Sequence, residues 1–159
     1  MTATPGIGWD SHRLVAGRPL ILGGVAIEHD LGLAGHSDAD VLTHAIIDAL
    51  LGAAAMGDIG QHFPDTDERY RDADSMLLLR TVVATLAERG LAVRHVDATV
   101  VMERPRLAPY RDAIRAALAD GLGVVPEHVN VKASTGEGMG FVGRGEGVAA
   151  LAVATLHGG

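Results

Sequence analysis

The sequence predicts an α/β protein of the α+β kind, with a single layer of helices packed on one face of a mixed β-sheet. Three observations carry this. Strand-like and helix-like segments are interspersed along 159 residues, with no internal repeat, low-complexity tract or linker between them. Hydrophobic residues make up 48% but aromatics only 3%, so Ala, Val, Leu and Ile must fill the interior, which favours close helix-on-sheet packing. A chain of this length buries roughly two-thirds of its unfolded surface in one core, so residues 1–159 read as one domain.

Gly6 to Leu14 and Leu20 to Ile27 read as two short strands joined by a turn around Gly17. Ser37 opens a helix, with Asp40 at capping-box spacing in place of the usual Glu, and the apolar run from Val41 to Met56 breaks at Gly57. Residues 57–72, "GDIGQHFPDTDERYRD", hold no period and read as a loop. Loops this long in a compact domain are usually functional or disordered, and the aromatic and turn residues here favour function. A second helix runs from about Ser75 to Arg89 and stops at Gly90. "LAVRHVDATVVM" sets Val93, His95, Asp97 and Thr99 against Arg94, Val96, Ala98 and Val100, the period of a strand. A third helix follows from about Pro109 to Gly121. Val129 to Ala133 is a short strand, "STGEGMGFVGRGEG" a glycine-dense connection, and Val148 to Leu156 a last apolar strand.

The net charge of −7 argues against broad nucleic-acid binding, which needs a basic surface. A phosphorylated small molecule would have to be held by a few placed cations, backbone N–H groups or metal ions. With no cysteine, any metal must take His, Asp or Glu. The start, "MTATPGIGWD", has no signal-peptide pattern and no apolar run reaches membrane-spanning length, so the expectation is a cytoplasmic protein with no membrane partner.

Asp10 and His12, in "GWDSHRL", stand two apart on a strand and so project to one side. The third ligand would be His44, whose helix carries Asp40 and Asp48 at i−4 and i+4, either of which can orient the second ring nitrogen. Two imidazoles and a carboxylate are the donor set of an open catalytic zinc site. The plainer reading is a hydrogen-bonded surface pair and a satisfied core histidine. His36 precedes Ser37, so its imidazole and the free N–H groups of a helix start would converge on an anion; the alternative is an ordinary cap beside an exposed histidine.

"VKASTGEGMGFVGRGEG" matches neither a Walker loop nor a dinucleotide fingerprint. Lys132, Ser134 and Thr135 offer a charge and two hydroxyls at a strand end, and Glu137 a hard oxygen ligand suited to Mg²⁺. Arg144, between Gly143 and Gly145, suits phosphate. "MERPRL", Met102 to Leu107, is a strand exit that can present backbone groups to a base. Against each stands a plain turn with solvated charges.

Taken together, "GWDSHRL", "LILGGVAI", "GHSDADVLTHAIIDALLGAAAMGDIGQHFPDTD", "ADS", "VDATVVMERPRL" and "VNVKASTGEGMGFVGRGEG" resemble the 2-C-methyl-D-erythritol 2,4-cyclodiphosphate synthase family over almost the whole chain. The resemblance implies a lyase of the non-mevalonate isoprenoid pathway that cyclises a cytidine diphosphate-linked methylerythritol 2-phosphate with loss of CMP. It implies zinc on Asp10, His12 and His44, and Mg²⁺ or Mn²⁺ on Glu137. His36 and Ser37 would hold the methylerythritol phosphate, with Asp58, Gly60, Phe63 and Asp65 on the erythritol part. Cytosine would be received around Met102, Pro105, Arg106, Leu107 and Ala133, with Ser134, Thr135 and Lys132 by the nucleotide phosphates. The resemblance further implies a homotrimer whose sheets face the threefold axis and whose active sites lie between subunits. Phe141 and Arg144 would line an axial cavity that can hold an isoprenoid diphosphate.

Departures from the family pattern are Ser134 where Thr is common, Gly136 where a side chain is usual, Arg106 for Lys and Trp9 for Phe. None removes a group the chemistry needs. Two rivals differ in outcome: a zinc phosphoesterase would release a linear phosphate, and a non-enzymatic isoprenoid-diphosphate binder would use zinc structurally, for which only three ligands are apparent.

Overall fold

Glycine and alanine on facing elements decide how this chain packs. The computed structural model describes residues 2–158, one short at each end of the expected 1–159 span. In chain order the elements are β1 (Ala3–Ala16), β2 (Leu20–Leu22), β3 (Val25–Ile27), β4 (Leu31–Leu33), α1 (Val41–Ala53), α2 (Ile59–His62), α3 (Ser75–Glu88), β5 (Leu91–Val101), α4 (Arg111–Leu122), β6 (Val129–Ser134), α5 (Gly140–Gly143) and β7 (Gly147–Gly158). Five strands form one mixed sheet in the order β4-β1-β7-β5-β6, antiparallel except for the β5–β6 pair.

Alternation along β1 turns Gly6, Gly8, Asp10 and His12 toward α1, and Ile7, Trp9, Ser11 and Arg13 the other way. On β7 the same face carries Val148, Ala150, Ala152, Ala154 and Leu156, all buried. A Cβ on Gly8 would lie 1.8 Å from the carbonyl oxygen of Ala45, and one on Gly6 2.0 Å from that of Ala49. Helix α1 therefore rests with its backbone almost on the strand. Its side chains Leu42, Ile46, Ile47, Leu50 and Leu51 are wholly buried, joined by Leu79 and Leu86 of α3 and Ile114 and Leu118 of α4 in one core on this side of the sheet.

The expected layer of helices on one face of a sheet is thus present, with several local differences. Leu20 to Ile27 is a separate hairpin, turned at Gly23 and Gly24, which both have positive φ. The outer neighbour of β1 is β4, which has no distinct signal in sequence. Helix α1 is capped by Asp40, not opened by Ser37: Asp40 Oδ1 accepts from Thr43 N at 3.0 Å, and its carboxylate also accepts from Thr43 Oγ1 and the Gly23 and Gly24 amides. Satisfying a fully buried carboxylate this way ties the hairpin to the helix start. Burial still pushes its pKa up, against those hydrogen bonds.

The long loop holds α2 and a 3₁₀ turn at Glu68–Tyr70. A bulge between Val93 and His95 reverses the phase of β5, so Val93 is buried with Val96, Ala98 and Val100 instead of sharing the face of His95. Helix α4 continues past Gly121, which lies against Met76 and Leu79, to a left-handed cap at Gly123.

The other face of the sheet is largely bare, apart from the end where α5 lies near Ala149. Ile7 pairs with Val153 and Trp9 with Leu151, and these four are 70%, 45%, 53% and 37% exposed. Among the described residues no helix is long and apolar enough to cross a membrane.

The contact between α1 and β1 sets a first test. Gly8→Ala is expected to force the helix off the strand and cost about 3 kcal/mol, read from denaturant unfolding; an unchanged midpoint would show that the contact has slack.

Candidate active site

Strand β1 supplies Asp10 and His12, and His44 comes from the first turn of α1, directly before the Ala45 carbonyl that overlies Gly8. Asp10 Oδ2 lies 2.8 Å from His12 Nε2 and 3.1 Å from His44 Nδ1, and the two nitrogens are 3.3 Å apart. Hydrogen bonds on the far side of each ring assign the protons. His12 Nδ1 donates to the Ala34 carbonyl at 2.9 Å, leaving Nε2 with a lone pair. His44 Nε2 faces Ser75 Oγ at 2.8 Å, and the Ser75 hydroxyl donates to Asp38, so Nε2 carries the hydrogen and Nδ1 the lone pair.

With both rings neutral, three lone pairs thus converge with no proton among them, an arrangement suited to a cation. Ligands about 2.0–2.1 Å from a tetrahedral ion stand roughly 3.3 Å apart, close to the spacings here. These are also the residues whose donor atoms group as a metal-binding cluster among the described residues. Burial raises the Asp10 carboxyl, but the hydrogen bonds and charges of His12 and His44 outweigh it and hold it at about 2. Burial pulls His12 down, and the bond and charge of Asp10 more than reverse this, leaving it above its ordinary value.

Neither helix carboxylate orients His44. Asp40 is spent on capping, and Asp48 accepts from Ile59 N at 2.7 Å, fixing α2.

The cluster opens into a hollow of about 390 Å³ whose lining includes His36, Ser37, Gly60, Phe63 and Asp65. His36 does not stand over a helix start, because α1 begins four residues after Ser37; its Nε2 donates to the Asp67 carbonyl at 3.0 Å and pins the loop over the hollow. Phe63 packs edge-on against Tyr70 with centroids 5.3 Å apart, and Tyr70 too lines the hollow, although its sequence context does not single it out. Asp58 is outside the lining: its Oδ1 accepts from Gln61 N and caps α2.

A second hollow, of about 200 Å³, gathers Met102, Pro105, Arg106, Leu107, Ala133, Ser134 and Thr135. Glu103 joins its two walls, since Oε1 accepts from Gly136 N at 2.6 Å. Arg111 lines it as well, with Nε buried and without a partner. Sequence gave no sign of Arg111, whose position at the start of α4 looks like any surface arginine.

Besides Asp58, four predicted residues lie outside both hollows. Glu137 occupies an exposed turn with φ 53, its N–H donating to Thr135 Oγ1. Lys132 sits on the bare sheet face, 2.7 Å from Asp97. Arg144 pairs with Glu146 at 3.1 Å, and Phe141 lines a shallow apolar hollow with Trp9 and Met139.

A mixed sheet carrying two imidazoles and a carboxylate that converge beside a hollow defines an α/β protein with a cluster that could hold a metal ion. A sequence model of the YgbB family matches residues 4–157, and the chain belongs to that family. It is 61% identical over 152 residues to the 2-C-methyl-D-erythritol 2,4-cyclodiphosphate synthase of Salinibacter ruber, covering 96% of this chain and 97% of the relative. Among solved structures it matches a 2C-methyl-D-erythritol-2,4-cyclodiphosphate synthase in a CDP-bound form, with TM-score 0.88 and 37% identity over 96% of this chain and 99% of that one. It also matches the bifunctional IspDF of Campylobacter jejuni, with TM-score 0.96 and 40% identity, covering 99% of this chain and 43% of that longer one.

Protons and metal compete for the same lone pairs. In the metal-free chain the raised His12 makes the protonated pair with Asp10 stabilising below the ordinary value of 6.5, a contribution lost as pH rises through the raised value. Zinc affinity is therefore expected to fall on going from about pH 8 to about pH 5.5. Calorimetric titration reads this; an affinity independent of pH would mean that His12 is not a ligand.

Proposed function

We propose that this chain converts 4-(cytidine 5′-diphospho)-2-C-methyl-D-erythritol 2-phosphate to 2-C-methyl-D-erythritol 2,4-cyclodiphosphate and CMP, as a phosphorus–oxygen lyase in isoprenoid precursor synthesis. The observation that carries the reading is the convergence of Asp10, His12 and His44 in a chain 61% identical to a synthase of that name.

The nucleophile is already on the substrate: an oxygen of the 2-phosphate forms a bond to the β-phosphorus, and the bond from that phosphorus to the CMP oxygen breaks. The protein has to position two anionic groups and neutralise charge, which needs no catalytic base. Asp10, His12 and His44 would hold zinc and Glu137 would hold Mg²⁺ or Mn²⁺, and cations bound there would supply that neutralisation.

The remaining work falls to side chains of the two hollows. Ser37 Oγ accepts from Ala39 N, so its own hydrogen is free for a phosphate oxygen, and the Nδ1 side of His36 is available because Nε2 is committed to Asp67. Phe63, braced by Tyr70, with Gly60, Asp58 and Asp65, would enclose the erythritol and exclude water that would otherwise give a linear product. Backbone groups of residues 102–107 and 133 would receive cytosine, and Ser134, Thr135 and Lys132 the nucleotide phosphates. Arg111 would give its unpartnered Nε a bond to the nucleotide.

On one chain the two hollows share no lining residue. A homotrimer with active sites between subunits would bring them together, and the bare apolar strip of Ile7, Trp9, Leu151 and Val153 supports self-association through the sheets. Phe141 and Arg144 would then face the axis, where an isoprenoid diphosphate fits a phenyl ring and a guanidinium.

Phosphorus-31 NMR of the protein with substrate, Zn²⁺ and Mg²⁺ is the direct test. The expected result is CMP with the coupled resonances of a cyclic diphosphate, lost in Asp10→Ala; linear phosphates would indicate a phosphoesterase, and unchanged substrate a binding protein. Arg111→Met is expected to weaken CDP binding severalfold in calorimetry while leaving zinc affinity unchanged. Equal CDP affinity would remove Arg111 from the site.

A further inference from the structure

The two histidines of the cluster are fixed in different ways. His12 gives its Nδ1 hydrogen to the Ala34 carbonyl, and a carbonyl can only accept. His44 gives its Nε2 hydrogen to the Ser75 hydroxyl, and a hydroxyl can accept or donate. Something must decide which.

Asp38 decides it. Its Oδ1 accepts the Ser75 hydroxyl hydrogen and the Asp40 amide at 3.1 Å, and its Oδ2 accepts the Ser75 amide at 3.0 Å. An ionised carboxylate has no hydrogen to return, so the one hydroxyl hydrogen of Ser75 is committed to Asp38 and only a lone pair is left for His44. Ser75 is fully buried, so no water competes for it. Ser37 Oγ, at 3.2 Å from His44 Nε2, is a longer second contact and already accepts from Ala39 N.

Without this commitment the other tautomer has its own attraction. A hydrogen on His44 Nδ1 would point at Asp10 Oδ2, 3.1 Å away, and would occupy the lone pair a metal needs. In the metal-free chain that local bond would compete with the ligating form.

We infer that Asp38 and Ser75 are positioning residues that act through His44, holding its ring with hydrogen on Nε2 and a lone pair on Nδ1. The inference rests on the metal reading of Asp10, His12 and His44. Neither residue belongs to the ligating group: Asp38 and Ser75 come from the segment before α1 and from the first turn of α3, so the ring is set by a contact between two elements.

Long-range ¹H–¹⁵N correlation spectra of metal-free, ¹⁵N-histidine-labelled protein, recorded where both rings are neutral, read the tautomers directly. The wild type is expected to show His44 with hydrogen on Nε2. Ser75→Ala should move His44 toward a tautomer mixture, and Asp38→Asn, whose amide can donate to Ser75 Oγ and turn its hydroxyl toward His44, should move it further toward the Nδ1–H form. His12, held by a backbone carbonyl, should keep its pattern in both, which a general loosening of the fold would not allow. Zinc affinity by competition titration should fall about 10–100-fold.

Retention of the Nε2–H form with zinc affinity unchanged, in whichever of the two variants folds, would overturn the inference, as would a wild-type His44 in the Nδ1–H form or equal disturbance of His12. Failure of the wild type to bind zinc would overturn the metal reading instead, and is a separate measurement from the tautomer.

Discussion

Everything at the candidate site depends on how closely α1 lies on β1. The absence of a side chain at Gly6 and Gly8 lets the Ala45 and Ala49 carbonyls occupy the space a Cβ would need. His44 directly precedes Ala45 and Asp10 stands two residues beyond Gly8, so the distance between helix and strand is also the distance between the ligating atoms. The alanines of β7 extend the same condition across the sheet. The scarcity of aromatic residues is then a requirement of the site as much as of the core: a larger side chain on either surface would lift the helix and open the cluster.

Legibility in the sequence follows the range of the interaction. The three long helices and the β5, β6 and β7 strands rest on local period and capping, and they stand within a few residues of where the pattern puts them. Leu20 to Ile27 misleads because both arms of a short hairpin are apolar, so two strands look like one. Ser37 and Asp40 are both good caps, and tertiary contacts choose Asp40, whose carboxylate also holds the Gly23 and Gly24 amides. The same limit applies at the site. Asp10, His12 and His44 are readable from strand and helix spacing, whereas the partner of His44 comes from α3 and Asp38, a juxtaposition that no local period encodes. Arg111 had no signal at all, since an orphaned donor exists only relative to a folded wall.

An acidic chain that handles an anionic substrate has to place its few cations with care. Around the second hollow Arg106 and Arg111 face an environment where the one carboxylate, Glu103, is already engaged by the Gly136 amide. At the first hollow the negative Asp10 sits between two imidazoles. Local charge balance at the second hollow is thus opposite in sign to the global charge, whereas the first, with Asp10 and Asp65 in its lining, relies on a bound cation to receive an anion.

The three facing lone pairs have one more consequence, for the lifetime of the protein. Where both rings are neutral, folding without a cation brings these acceptors out of water into mutual repulsion, a local cost offset by the helix packing around them. An ion that binds only the folded chain adds stability in proportion to the logarithm of its supply, about 2.7 kcal/mol at a hundredfold excess over its Kd. Scarcity of that ion would act on abundance, through unfolding and proteolysis, as well as on turnover, so the amount of this protein in a cell would itself register how much metal is at hand.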